Sequence, residues 1–448
     1  MVSSNIYTKL RISKEASIIY SDYLTKNGLL DTQITSETMS VDHTLLETKN
    51  INNTRQGRKK QRVSRDITGG IKFHLSPYIY DKLIEGVFWS SWLTTNNTIS
   101  INISIIDNTI VDSENTGAFV NFISGQFIYI RRGGTVSDDN CGIYKISAKT
   151  TDNSMVLDDI MLLKITESNV TAKISGSILR LPETVSDIER HSYFIEKQQI
   201  DTSPSQYISF KSNYVNKLSL NCMSKSFVSG GFDFIGKSAS VYNDGIYDID
   251  NNPNGNGVGS VATLNGNDLI QAYDTNFFNT STDITDIYID DVRTTIDASS
   301  DIWVQSINFS IINNFKGINA LSETDIIGVS PNTMSISGTM SIYFSDTTIH
   351  DLYMNGLEFS LMLIMENINK DAYVFSFPRI KITGSNLNYQ NDSLTTTIQW
   401  IALYDETVKT SIQIDRLFSS YVYETYDLTL NGHSLTLDDY NLVSVRSL

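Results

Sequence analysis

A chain of 448 residues with 40% apolar residues, 19% charged residues and 10% aromatics exceeds one ordinary core and is expected to fold as two or three domains, not to stay disordered. The formal net charge of -16 excludes a protein built to grip nucleic acid, because phosphate binding rests on Lys and Arg displacing counterions. Two lone cysteines, Cys141 and Cys222, stand outside any CxxC or Cys/His cluster, so neither a zinc site nor a disulfide framework is expected.

In chain order, residues 1–30 have charges every few positions and no apolar h-region, so no signal peptide is read there, and no run is long enough for a transmembrane helix. Residues 34–41, ITSETMSV, alternate as a strand. The basic stretch RQGRKKQRVSRD follows, with Arg55, Arg58, Lys59, Lys60, Arg62 and Arg65, and reads as a loop. In GGIKFHL, Ile71, Phe73 and Leu75 share one strand face. Ser76 as cap and Pro77 at the first helical position then predict a helix carrying Tyr80, Leu83, Ile84 and Val87.

That pattern returns 269 positions later. Gly69 falls on Gly338, Phe73 on Ile342, Leu75 on Phe344, Ser76 on Ser345 and Leu83 on Leu352. The second helix is expected to start at Ser345, face Ile349, Leu352 and Tyr353 inward, and end at Gly356. HSYFIEKQQI and DAYVFSFPRIKI read as matching edge strands, the latter accommodating Pro378. Phe232 and Phe234 match Ile398 and Trp400. A repeat of this size predicts a tandem duplicated, mainly β fold.

The expected organisation is a first domain of residues 1–99 plus 181–240, a small inserted β-barrel at 100–180, a linker at 241–285, a second domain at 286–415, and an extension at 416–448 with a hairpin at Asn431–Gly432. In the linker, Asp250, Asn252, Asn254 and Gly255 imitate the front of a calcium loop. Its twelfth position is Val261 instead of a bidentate Glu, so a turn-rich connector is the reading. The histidines (His43, His74, His191, His350 and His433) are scattered, and neither a nucleophile motif nor a phosphate-cradling loop is found. No enzyme activity, metal or cofactor is expected.

The basic run has two open readings. One is a solvated loop. The other comes from the repeat: the equivalent loop of the second copy carries Glu323 and Asp325, so the two loops are candidates for pairing between neighbouring subunits, which fixes register more than affinity.

The order ITSETMSVDHTLLETKNI, RDITGGIKFHLSPYIYDKLIEG, SYFIEKQQ, LSLNCMSKSFVSGGFDFIGKS, FSFPRIKITGS and QWIALYD resembles the tail tube proteins of long, non-contractile-tailed (siphovirus-type) bacteriophages, over roughly residues 30–415. The resemblance implies β-sandwich or barrel-like tube domains, each with one flanking helix. It implies a structural virion protein, assembled in the host cytoplasm, that stacks into rings around double-stranded DNA which passes without specific binding. Three duplicated chains would supply six positions of a ring. The implied partners are further copies of the chain, a tape measure protein, and terminator and distal tail proteins at the tube ends, with no membrane insertion. In such a conduit a phosphate-gripping basic loop would immobilise the cargo. Loops at 42–66 and 312–334 would reach a neighbouring ring or subunit, and an acidic lumen would repel DNA over about 8 Å. Alternatives are a single-ring distal-tail or baseplate component, and an adhesin with a carbohydrate-binding insert. The adhesin needs an exposed aromatic platform, whereas Trp89, Trp92, Trp303 and Trp400 sit in core-like patterns.

Overall fold

Strands with alternating burial build almost all of the protein. The computed structural model describes residues 8–14, 30–31, 33–47, 59–93, 98–158, 163–199, 206–243, 276–290, 303–343, 353–390, 393–418, 429–430 and 433–434. First come β1 (Thr8–Lys14), β2 (Leu30–Asp31), β3 (Ser36–Glu37), β4 (Ser40–Glu47), β5 (Lys60–His74) and α1 (Asp81–Phe88). The insert holds β6 (Thr98–Ile106), β7 (Thr109–Asp112), β8 (Phe127–Arg132), β9 (Gly142–Thr151), β10 (Ser154–Leu157) and β11 (Glu167–Ser175). The first half resumes with β12 (Ser177–Arg180), β13 (Tyr193–Gln199), β14 (Gln206–Met223), β15 (Ser229–Gly236) and β16 (Ser238–Asn243). The second half has β17 (Ile284–Asp290), β18 (Val304–Ile312), β19 (Lys316–Ile318), β20 (Gly328–Ser330), β21 (Ser335–Tyr343), β22 (Glu358–Glu366), β23 (Ala372–Gln390), β24 (Ser393–Ala402) and β25 (Gln413–Leu417). Last, β26 (Thr429–Leu430) pairs with β27 (His433–Ser434), while the turn expected at Asn431–Gly432 lies outside the described residues.

The two halves repeat one connectivity. β1–β13, β3/β4–β5, β5–β15, β15–β14, β14–β13 and β14–β16 recur as β17–β22, β18–β21, β21–β24, β24–β23, β23–β22 and β23–β25. The bulges recur as well: the register breaks between Val215 and Lys217 in β14 and between Ile382 and Gly384 in β23. Gly69 lies opposite Phe234 and Gly338 opposite Trp400, so each glycine sits across from an aromatic of the neighbouring strand. Any Cβ at Gly338 would run into the Trp400 ring. Gly69, at φ +146°, would place one 2.5 Å from the Met39 and Thr38 backbone, which explains why the predicted 34–41 strand divides into β3 and β4 there.

This register corrects one strand equivalence. HSYFIEKQQI (β13) matches β22, whereas DAYVFSFPRIKI opens β23 and matches β14. Pro378 lies within β23 at a bulge, where the missing N–H is tolerated, and not on an edge strand.

β14 and β23 each serve two sheets. Their first halves join the layer of β13 and β16, or of β22 and β25. Their second halves join a polar-faced wall of β3/β4, β5, β15, β14, β18, β21, β24 and β23. Between the layers lies one core that includes Phe73, Phe232, Phe309, Phe377 and Trp400, and α1 is buried in it.

The helix begins later than predicted. Pro77 to Tyr80 form turns, the Ser76 hydroxyl is buried without a partner, and α1 starts at Asp81 after an uncapped Tyr80. Tyr80, Leu83, Ile84 and Val87 are buried as expected. Most of the second predicted helix lies outside the described residues. Its end is described: Tyr353 and Met354 are helical and the chain turns at Asn355–Gly356, with Gly356 at φ +63°, as expected of the helix end. Trp89, Trp92 and Trp400 are buried, but Trp303 is 69% exposed because it precedes β18 at the margin of the sheet.

The insert is a closed barrel of order β10-β7-β6-β11-β8-β9 with its own core of Ile103, Ile105, Ile110, Phe122, Ile128 and Ile146. It docks on the outer face of the second half, where Phe127 and Tyr129 pack on Ile364, Val374 and Leu417. Tyr129 donates to Glu366 at 2.9 Å, and Arg131 donates to the Leu417 carbonyl at 2.7 Å. The Phe127 N–H donates to Asp415 Oδ1 at 3.1 Å. Burial pushes the Asp415 carboxyl up to about 7, against hydrogen bonds from Gln413 and Phe127 and the charges of Arg180 and Lys145. A carboxyl raised on folding stabilises fully below its unfolded value and loses that contribution as pH climbs through its folded value. Stability should therefore fall by on the order of 3 kcal/mol between about pH 4 and pH 7. Asp415→Asn should flatten that slope in urea titrations across the range; an unchanged slope would refute the assignment.

Candidate assembly interface

The halves meet strand to strand. β14 pairs antiparallel with β18 from Lys217↔Ile312 to Met223↔Ser306, which joins the two wall segments into one sheet. Leu220 stands opposite Phe309, and both are buried, at 3% exposure each.

The repeat gives this junction two open counterparts. The equivalent of β14 is β23 and the equivalent of β18 is β3/β4. Among the described residues, β23 pairs only with β24 beyond residue 382, and β3 and β4 pair only with β5. Leu387, equivalent to Leu220, is 53% exposed, and Met39 is the equivalent of Phe309. One end of the chain thus offers a bare strand edge with an uncovered leucine, and the other offers the edge that would complete it. Such edges invite pairing with another chain.

The described charged residues singled out in the sequence lie at the β4–β5 hairpin and on the loop between β18 and β21. Arg55 and Arg58 fall outside the described residues. Lys59, Lys60 and Arg62 are exposed, the last two on β5, which runs through the basic stretch as a strand where a loop is predicted; pairing with β4 makes it one arm of a long hairpin. Lys60 reaches Glu47 across that hairpin at 3.8 Å. Arg65 and Asp325 meet within one chain: Arg65 Nε donates to Asp325 Oδ1 at 2.7 Å, and Nη2 donates to Oδ2. Arg65 also donates from Nη1 to the Ala239 carbonyl at 3.1 Å and from its backbone N–H to the Thr324 carbonyl at 2.8 Å. The Arg65 hydrogen bond holds the Asp325 carboxyl below its usual range. Glu323 is exposed beside it. The first half's arm is thereby clasped by the second half's loop through a bidentate contact, the strongest geometry open to such a pair.

A second lock is not readable from sequence. Asp81 of α1, fully buried, accepts hydrogen bonds from Arg416 Nη1 at 2.9 Å and from the Tyr373 hydroxyl. The Arg416 guanidinium lies 4.5 Å from the centre of the Trp92 ring. Leu387 and Met39 were also missed, although the repeat offset that aligns β23 with β14 points to Leu387. Among the described residues no cluster of His, Cys, Asp or Glu could hold a metal, and no helix is long and apolar enough to cross a membrane. The calcium-like segment lies outside the described residues.

No curated protein matches the chain. Among solved structures, the phage phi92 endosialidase is similar at 11% identity over 96% of this chain and 67% of that chain; its TM-score of 0.13 carries no argument. The sequence model of the phage tail tube proteins matches residues 8–402, nearly the whole β body with its insert. The chain belongs to the phage tail tube protein family, a structural component of the virion tail.

Proposed function

We propose that three chains close head to tail into a ring of six similar positions, and that rings stack into the tube through which double-stranded DNA leaves a long, non-contractile tail. The observation that carries this reading is the filled β14–β18 junction together with its two unfilled counterparts. Repeating the internal junction between chains sets residues 384–390 of β23 against residues 36–42 of a neighbour, and Leu387 against that neighbour's Met39. A heterologous contact of this kind either closes into a ring or runs on as a filament, and closure leaves no bare edge.

Stacking falls to the long arms. The β4–β5 hairpin exposes Leu45, Leu46 and Val63, and the loop between β18 and β21 exposes Ile318, Leu321 and Ile327. Cations of the 55–65 stretch other than Arg65 meet carboxylates of an adjoining copy, Glu323 included. Assembly takes place in the host cytoplasm, with a tape measure protein inside and terminator and distal tail proteins at the ends.

The test is a Met39→Cys/Leu387→Cys double variant. Oxidation of assembled protein should yield covalently closed trimers on a denaturing gel, each single variant should yield none, and electron micrographs should show tubes. Tubes without chain-to-chain links would place the contact elsewhere; lone rings that never stack would favour a distal-tail or baseplate role.

A further inference from the structure

The wall has two faces, and the chemistry of the open one is unlike that of the chain as a whole. α1 is buried within the core, and the second layer and the docked barrel lie beyond it, away from the open face. In a ring built as above, on which this inference rests, those bulky parts face outward and the bare face lines the channel. Strand register arranges its side chains in rows. Ser219, Ser310 and Ser337 stand in line across β14, β18 and β21, and Asn221, Asn308 and Thr339 form the next row. On β24 the first row ends at the exposed Ile401, the second continues to Gln399, and Thr397 stands opposite Ser341 in a third. The charged residues of this face are few and opposed: Lys72, Lys217 and Lys381 against Asp42, Asp66 and Asp233, with Lys217 directly opposite Asp233. The chain's formal charge of -16 is therefore carried elsewhere.

From this we infer that the open face is an electrically neutral, hydroxyl- and amide-lined track for duplex DNA, in place of the acid-lined channel expected from the overall charge. Without an excess of cations it has no means of holding phosphates by counterion release. Without an excess of anions it produces no repulsive field. Its short side chains hold water that bridges to a passing duplex and exchanges readily. Trp400 points into the core, and the exposed aromatics Trp303 and Tyr343 stand at the margin of the wall, where β18 begins and β21 ends, so the middle of the described face carries no ring on which bases could stack. Passage is thus governed by a wet, uncharged surface and is insensitive to ionic strength.

The experiment reads the local potential directly. Ser310→Cys is made in a Cys141→Ser background, with buried Cys222 as the unreactive reference. Assembled tubes are treated with methanethiosulfonates of similar size bearing either a sulfonate or a trimethylammonium group. The expected result is rates within about threefold of each other, with a ratio unchanged between low and high salt. An acid-lined channel would instead favour the cationic reagent by about tenfold or more at low salt, collapsing at high salt, and would overturn the inference. A maleimide attached to a large protein separates the two readings. It should label Ser310→Cys in unassembled protein and not in tubes. Labelling in tubes would put the face outside and end this inference, while absence of any tubes would end the ring reading itself.

Discussion

Leu387→Asp is expected to give a folded protein that never polymerises. At 53% exposure Leu387 contributes little to the isolated chain, so the thermal midpoint should shift by no more than a degree or two. In the proposed junction the same position becomes as buried as Leu220, at 3%. An ionised carboxylate there would lose hydration without a partner, a penalty of several kcal/mol at every contact between chains. Because each ring repeats the contact, the loss compounds and assembly should fail outright. Sedimentation would show one chain of about 50 kDa in place of the large particles expected of the unaltered protein. The mirror variant, Leu220→Asp, strikes the same contact inside the chain and should prevent folding. Tubes of normal length from Leu387→Asp would remove the basis for equating the two junctions.

The largest effect on stability should come from breaking the Asp81–Arg416 pair. Either Asp81→Asn or Arg416→Met leaves a buried polar group facing a lost partner, and the expected cost is about 3–5 kcal/mol in urea unfolding. Because Asp81 belongs to the first half and Arg416 to the second, the single variants should also uncouple the halves, broadening or splitting the transition. The Asp81→Leu/Arg416→Met double variant should recover much of the loss, since it removes both charges and the demand that each be solvated. Additive losses in the double variant would mean that the two residues act separately, with the Tyr373 and Trp92 contacts holding each in place.

What could be read from the sequence, and what could not, follows from how local each signal is. Gly69 and Gly338 betrayed the repeat because a neighbouring strand presses an aromatic residue or backbone onto each, and only glycine fits. Alternation at Ile71 and Phe73 was legible because one face meets the core. The start of α1 was not: Ser76 and Pro77 carry helix-start chemistry, yet the chain spends it on turns before Asp81. The strand character of the basic stretch was hidden because both faces of a protruding hairpin can be solvated, which erases the period of two. Asp81–Arg416 spans more than three hundred residues and has no periodicity to announce it. Arg65 and Asp325 were suggested only as members of opposed loops; their bidentate contact within one chain depends on how the halves are set by β14 and β18.

The docking face of the barrel separates the two halves chemically. Where the second half sets Met362 and Ile364 beneath Phe127 and Tyr129, the first half holds Glu196 and Gln198 at the equivalent strand positions, buried and hydrogen-bonded to each other. Only every other station around a ring could then carry a knob. A polypeptide with one module would have to adorn all stations or none. In the proposed ring, two unlike halves in one chain set a single barrel for every two wall segments, while the matching face of the first half stays closed, with Glu196 and Gln198 buried.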